Sequence, residues 1–584
     1  MPSLPPRRAS TAAVARRLLD TLRPVSLCLL LGGLVAAQAA VAATADEELR
    51  QRERERLLRE QLEARPDVRL EAAQPKEAEG RLPRNEKPCF AIRDIRLIGD
   101  AAEQFQWALR AANPSDDPAV GQCLGALGIN LTMKRMQNAI IAKGYVTTRV
   151  MAEAQDLNSG ILVLTVLPGR IGQVRFAEGT SGRANAWNAM PARPGELLNL
   201  RDIEQALENF KRVPTAEADI RIAPASASDA KPGESDVIIA WRQRLPARVS
   251  LSVDNGGSKT TGKYQGAVAL SLDNPLSLND LFYASFNHDL GGGTSGNKGS
   301  KGHTLHYSLP FGYWQLAFTS SEYDYHQTVA GVNQAFQYRG ESRNNELRLS
   351  RLVYRDAVRK TTLWGSLWTR SSENFIDDTE ILQQHRRMAG WQAGVGHREF
   401  IGPATLDLGL AYRRGTGAHS ALAAPEEAFG DGTSRSKIIT ADAQLQVPFN
   451  AYGQRLRYIG GWRAQWNRTE LVPQDRFSIG TRYSVRGFDG ENILSADRGW
   501  TLSNELGLAL GSSGQELYAG VDYGEVGGNS ADYLVGRRLA GAVVGVRGGY
   551  RNLSYDWSWG TPLKKPDGFE TANFTSAFTV ALSF

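Results

Sequence analysis

The last eleven residues constrain the fold more than any others. In Phe574-Thr-Ser-Ala-Phe578-Thr-Val580-Ala-Leu582-Ser-Phe584 nearly every second residue is large and apolar, and those between are Thr, Ser and Ala. A strand points successive side chains to opposite faces, so this pattern suits a sheet with one face on lipid and one on a polar, wet interior. Beyond residue 45 no segment stays apolar for the roughly 20 residues that a membrane helix needs. A chain of this kind that crosses a membrane must therefore do so as a closed barrel, in which every backbone group is paired.

From Leu245 to the C-terminus, strand-like segments begin near residues 245, 263, 280, 302, 313, 344, 360, 388, 404, 436, 455, 499, 516, 539, 552 and 574. That is about sixteen, an even number, as in single-chain bacterial barrels. The connections carry more weight than any single strand. Short turns such as Leu309 to Tyr313, Phe400 to Ala404 and Gly511 to Gln515 alternate with long polar segments at 290–302, 326–343, 371–387, 415–435, 469–498 and 560–573. This asymmetry matches the periplasmic turns and surface loops of a transmembrane β-barrel spanning 245–584.

Residues 1–45 read as a secretory signal. Arg7, Arg8, Arg16, Arg17 and Arg23 precede an apolar run from Val25 to Val35, and small residues follow from Ala36 to Ala45. The run is too short for an anchoring helix, and Leu27 occupies the position where a lipoprotein reading of Cys28 would want a small residue. The whole chain has 68 basic and 62 acidic residues, an excess of +6. The five arginines and Asp20 of the signal account for +4 of it, which leaves about +2. A nucleic-acid partner is not supported, because it would need a concentrated basic face. Two cysteines remain after the signal, Cys89 and Cys123. In an oxidising compartment an even pair favours one disulfide, with two free thiols as the alternative.

Residues 46–65 carry opposite charges four apart at Glu48 and Arg52, Glu55 and Arg59, and Arg59 and Glu63, which favours a helix charged on most sides. Pro66 ends it, and 66–88 reads as a flexible linker. Two units of the same order follow. The first, 89–167, runs strand (Phe90 to Gly99), helix (Ala101 to Ala112), helix (Leu131 to Lys143) and strands (Thr147 to Gln155, Gly160 to Leu167). The second, 168–244, runs Arg170 to Phe176, a short helix near Ala184 to Met190, a helix from Arg201 to Lys211, then Ala218 to Pro224 and Asp236 to Gln243. Two helices on a three-stranded sheet make an α+β module whose edges can accept an added strand.

The segment 469–498 is long enough to suggest function. Within it lies Tyr483-Ser-Val485-Arg486-Gly487-Phe488-Asp-Gly490. On the strand near 516 the set Glu516, Tyr518, Gly520, Asp522 and Gly524 alternates with Leu517, Ala519, Val521 and Tyr523. The acids cannot face lipid cheaply, so Asp522 points inward, as does Glu505 on the preceding strand. If the segment folds back into the lumen, Arg486 meets Asp522 and forms a partly buried pair that fixes its position. Gly487 supplies backbone freedom and Phe488 an apolar anchor. An ordinary surface loop is the competing reading.

Val485-Arg486-Gly487-Phe488, Val521-Asp522-Tyr523-Gly524 and Pro88-Cys89-Phe90 resemble the two-partner secretion transporters of the outer-membrane assembly-factor superfamily, and the C-terminal strand ending on Phe584 resembles the closing strand of bacterial outer-membrane barrels. The resemblance covers nearly the whole chain after the signal. With its charged N-terminal helix the chain is most similar to the filamentous haemagglutinin transporter branch. The resemblance implies two polypeptide-transport-associated (POTRA) domains in the periplasm, a sixteen-stranded barrel in the outer membrane of a Gram-negative cell, a helix at 46–65 that can plug the pore, and a pairing of Arg486 with Asp522. Phe488 stands where relatives often have tyrosine, so any hydrogen bond from that hydroxyl is lost. The implied partners are a large secreted adhesin or haemagglutinin-type protein and outer-membrane lipids, with the pore expected as a monomer.

Other functions find less support. Seven histidines (His288, His303, His306, His326, His385, His397, His419) lie in the barrel region, yet no hydrolase motif or metal-ligand spacing accompanies them, and no metal or cofactor is expected. Gly291 to Ser300 is glycine-rich but lacks the spacing and the Gly-Lys-Ser/Thr ending of a phosphate loop, so no nucleotide is expected either. The resemblance points to cargo folding outside the cell as the energy source. A barrel-assembly factor from the same superfamily is the alternative, and a diffusion porin would have no use for the two modules.

Overall fold

The computed structural model describes residues 46–63, 66–70, 80–331 and 334–584. The expected signal segment and residues 64–65 lie outside the described residues. Among them, sixteen antiparallel strands from Ala247–Asp254 to Thr575–Ser583 close into a barrel. The two-residue alternation is visible along each wall: in Glu516–Gly527, Leu517, Ala519 and Val521 are exposed, while Tyr518, Gly520 and Asp522 are buried inside. The ring closes over five residue pairs, from Thr579 with Asp254 to Ser583 with Ser250. Terminal Phe584 extends this seam by donating to the Val249 carbonyl at 2.9 Å and accepting from the Val249 N–H at 3.1 Å.

One expected loop is strand instead. Trp314–Ala330 and Ala335–Arg355 pair without interruption out to Ala330 and Ala335, through most of 326–343. The polar sequence there suggested a loop, but a hairpin that rises beyond the membrane can be polar on both faces. Tyr323, Tyr325 and Tyr338 pack together on its inner side and support it.

Both modules have a three-stranded sheet with the last strand in the centre. In the first, Ile161–Leu167 lies between parallel Asp94–Ile98 and antiparallel Arg149–Met151. In the second, Glu234–Gln243 lies between parallel Arg170–Phe176 and antiparallel Ala216–Pro224. Cys89 and Cys123 are bonded to each other, which ties the entry of the first module to the turn before its long helix. That helix, Ala126–Ala142, starts five residues earlier than the periodicity suggested. Its cap comes from far away in the chain: the Glu86 carboxylate accepts from the N–H groups of Gly125, Leu127 and Gly128 at 2.8 to 2.9 Å. Burial alone would raise the Glu86 carboxyl, but these three donors outweigh it and hold it below the usual carboxylate range.

The reading of 66–88 as a flexible linker fails at both described ends. At one end, residues 66–70 lie extended along the second module, with the N–H groups of Val68 and Leu70 donating to Glu208 and Glu204 at 2.9 and 2.8 Å. Arg355, on the barrel's periplasmic rim and with its side chain only 2 % exposed, bridges Glu204, Glu208 and the Val68 carbonyl, while Asp67 pairs with Lys360 and Arg398. At the other end, Leu82 is buried in the first module's core. Side-chain carboxylates on a distant helix are the partners here, and no local pattern announces them.

Candidate functional site

The helix over 46–62 lies inside the barrel. Its charges, too many for a core, are met around the lumen. Glu47 accepts from Thr261 at 3.2 Å and from the Tyr323 hydroxyl, Glu53 pairs with Arg463 at 2.9 Å, Arg54 donates to the Gly256 carbonyl at 3.2 Å, and Arg59 donates to Thr319 at 3.3 Å. Leu62, 2 % exposed, ends the helix in the core of the second module, and Glu63 meets His306 of the wall at 3.0 Å. The helix therefore reaches from the surface-loop end of the pore to the periplasmic rim.

Beside it sits the segment between Asn467 and Arg498, folded inward. It has structure of its own, a small hairpin of Phe477–Ile479 with Leu494–Ala496. Its tip carries Arg486 to the wall, where Asp522 (1 % exposed) and Glu505 (7 % exposed) project from neighbouring strands Glu516–Gly527 and Arg498–Ala509. The Arg486 main-chain N–H and Nε donate to one Asp522 oxygen at 2.9 and 2.7 Å, Nη2 donates to the other at 2.9 Å, and Nη1 donates to Glu505. The planar guanidinium thus uses its fork on one carboxylate and its remaining edge on a second, a geometry that lysine cannot reproduce.

Charges continue along the wall. Arg547 donates to Glu505 at 2.6 Å and to Glu516 at 3.0 Å, and Arg457 donates to Glu516 at 2.9 Å. Three arginines and three carboxylates therefore alternate in one connected row. The strand-parity argument that found Asp522 and Glu505 also reaches Arg547, two residues from inward Gly545, but the sequence alone gave no reason to look there.

The loop's backbone rests on a floor of glycines. A Cβ at Gly541 would stand 1.9 Å from the Arg486 carbonyl oxygen, one at Gly560 would stand 2.8 Å from the Gly487 Cα, and one at Gly520 would stand 2.7 Å from Arg486 Nη2. Gly487 has φ +104°, and its own Cβ would meet the Thr561 carbonyl at 2.6 Å. Only a residue without a side chain suits such a position. Val485 and Phe488 are buried in a small apolar cluster with Ile479, Leu494, Leu539 and Phe569, and the Phe488 and Phe569 rings meet edge to face at 5.9 Å.

Helix and loop also touch each other. Arg50 donates to the Gly490 carbonyl near the loop tip, and Arg52 donates to the Gln474 carbonyl near its base at 2.8 Å. At the base, Asp475 is held by Arg370 at 2.9 Å. A cavity of about 470 Å³ remains between helix, loop and wall. Such an arrangement closes a polar conduit with two polar pieces, one of them covalently anchored to the wall at both ends and the other at the end of a tether.

Comparison with known proteins agrees with this architecture. Residues 233–548 match the family model described as haemolysin secretion/activation protein ShlB/FhaC/HecB, residues 90–169 match a ShlB-type POTRA domain, and residues 170–224 match a POTRA domain. The chain is 38 % identical over 566 residues to the outer membrane transporter CdiB-2 of Burkholderia pseudomallei, covering 93 % of this chain and 95 % of that protein. The solved structure of CdiB from Acinetobacter baumannii superposes with a TM-score of 0.82 at 30 % identity, covering 93 % of this chain and 99 % of that one. CdiB from Escherichia coli gives 0.78 at 26 %, covering 94 % and 99 %. The chain belongs to the ShlB/FhaC/HecB family and is a two-partner secretion transporter of the outer membrane.

Proposed function

We propose that the protein exports one large adhesin or haemolysin-type polypeptide, received in the periplasm at an edge of the POTRA modules and passed through the barrel beside the Arg486 loop after the helix over 46–62 has left the lumen. The observation that carries this reading is the double attachment of Arg486 to Asp522 and Glu505 next to a helix that meets wall and loop through reversible polar contacts and packs Leu62 on the second module. One piece is fastened and the other can leave. As the helix leaves, its hydrogen bonds and ion pairs are exchanged for bonds to water, so the net cost of each is far below its gross strength. The family's description as haemolysin secretion/activation proteins supports a secreted protein as cargo. The pore works as a monomer, and the reading calls for no catalytic chemistry by the chain.

The test is deletion of the gene followed by analysis of the culture medium. The expected result is loss of a single large secreted protein, restored by the wild-type gene and not by Arg486→Ala. An unchanged medium together with general failure of outer-membrane barrels to assemble would replace this reading with an assembly factor.

A further inference from the structure

The second module carries a side chain that its own fold does not use. Trp187, in the short helix Ala186–Ala189, is 70 % exposed. Its neighbours on the helix are fully engaged. Asn185 donates to the Ser277 carbonyl at 3.0 Å, and Asn188 donates to the Leu278 and Pro310 carbonyls at 2.5 and 3.0 Å and accepts from Asn279 at 2.9 Å. The Gly312 N–H donates to the Asn188 carbonyl at 2.8 Å. Two periplasmic turns of the barrel therefore grip the helix on either side of Trp187 and fix the height and direction of its ring.

That ring lies against the lipid-facing wall. Its centroid is 5.1 Å from Phe311, edge to face. Phe311 is the register partner of Trp314, and Trp314 is the partner of Arg351. All three sit on the outward face of their strands, in line with exposed Leu316, Phe318, Leu347 and Leu349. Arg351 stacks on Trp314, 4.9 Å from its ring. A cation on the outer surface of a barrel is costly at mid-membrane and nearly free at the interface, so Arg351 marks the level of the headgroups. Tryptophan collects at that same level, since its body is apolar and its indole N–H can meet polar groups.

We propose that Trp187, although carried by a periplasmic module, is a membrane anchor whose indole sits among phospholipid headgroups of the periplasmic leaflet, beside Phe311, Trp314 and Arg351. The partner is a phospholipid surface, and the chemistry that recognises it is an aromatic band with one cation for phosphate. Through Phe311 the Trp187 ring is continuous with the lipid-facing band. The anchor adds the bilayer to the hydrogen bonds that orient the second module, and it holds the module's face toward the pore while cargo pulls on it.

The test uses the full mature chain in nanodiscs of phosphatidylethanolamine and phosphatidylglycerol. Cys89 and Cys123 are bonded to each other, so Trp187→Cys offers a free thiol for an environment-sensitive fluorophore. Asp229→Cys, at an exposed position elsewhere on the same module, is the control. Nitroxide lipids labelled just below the headgroup should quench the probe at 187 several-fold more than the probe at 229, and equal quenching would overturn the anchor. Unlabelled wild-type protein, irradiated with a photoactivatable phosphatidylethanolamine, should yield a lipid adduct on the peptide containing 186–190. Adducts on the Phe311 and Trp314 peptides without one there, or a cross-link from there to a second copy of the chain, would also overturn it.

Discussion

One Asp522 oxygen accepts both from the Arg486 backbone N–H, at 2.9 Å, and from the Arg486 Nε, at 2.7 Å. Main chain and side chain of the same residue are thus fixed to a single point on the wall, so the loop can neither slide nor rotate there without losing both. Arg486→Ala removes the side-chain bonds, which leaves Glu505 with Arg547 alone and strips Asp522 of its guanidinium partner. Breaking a buried pair in this way costs about 3–5 kcal/mol, and the wet lumen brings the figure toward the lower end. The barrel should insert normally while export falls at least about tenfold, a change of roughly 1.4 kcal/mol or more. Arg486→Lys should rescue little of it, because the bidentate contact is lost. Immunoblots of membrane and medium measure both, and wild-type export from Arg486→Ala would remove the loop from the mechanism.

Gly541→Val tests the same seat without touching a charge. Valine suits a strand, yet its Cβ would fall 1.9 Å from the Arg486 carbonyl oxygen and push the loop tip off the wall. Export should drop as it does for Arg486→Ala, and protease should gain access to 481–490 in the folded barrel. A Gly541→Val protein with a protected loop and normal export would mean that the floor yields.

Deleting residues 46–62 should raise single-channel conductance in planar bilayers to a stable high value, because the helix fills the lumen between wall and loop. No increase would place the helix elsewhere in the membrane-embedded protein.

Arg355→Ala should leave the conductance of the open state unchanged and increase the fraction of time spent open. Arg355 joins barrel rim, second module and linker backbone at once, through Glu204, Glu208 and Val68. Arg201 still pairs with Glu204 at 2.6 Å, so the module should remain folded. Unaltered open times in bilayer recordings would show that the docked linker does not restrain the helix.

Acidification should loosen the first module at the N-terminus of its long helix. The Glu86 carboxyl is held below its unfolded value, so its contribution is complete above the ordinary glutamate range near 4.5 and is lost as pH falls through the lower folded value. Hydrogen exchange at Gly125, Leu127 and Gly128, corrected for intrinsic rates, should accelerate on that descent. Glu86→Gln should show weakened protection already at pH 7, by about 1 kcal/mol for a lost cap, with less further dependence on pH.

The sequence made the barrel legible because a wall with lipid on one side and water on the other forces alternation, and because charges at mid-membrane depth face inward. That single rule places Asp522 and Glu505 and counts the strands. It fails for the hairpin of Trp314–Ala330 and Ala335–Arg355, since above the membrane neither face needs to be apolar. Arg486 could be named from its loop, but its second acceptor, the Arg547 row and the glycine floor depend on which strands lie side by side. The docked linker was least legible. Asp67 to Leu70 is a polar-apolar stretch like many others, and the carboxylates that receive its N–H groups lie more than a hundred residues away.

The row of Arg486, Asp522, Glu505, Arg547, Glu516 and Arg457 sums to zero charge. A travelling polypeptide rich in lysine finds no unspent carboxylate on which to lodge, and one rich in glutamate finds no idle guanidinium. Along this stretch the conduit is indifferent to the sign of its traffic, which lets a sequence thousands of atoms long go by without a station at which it would stall.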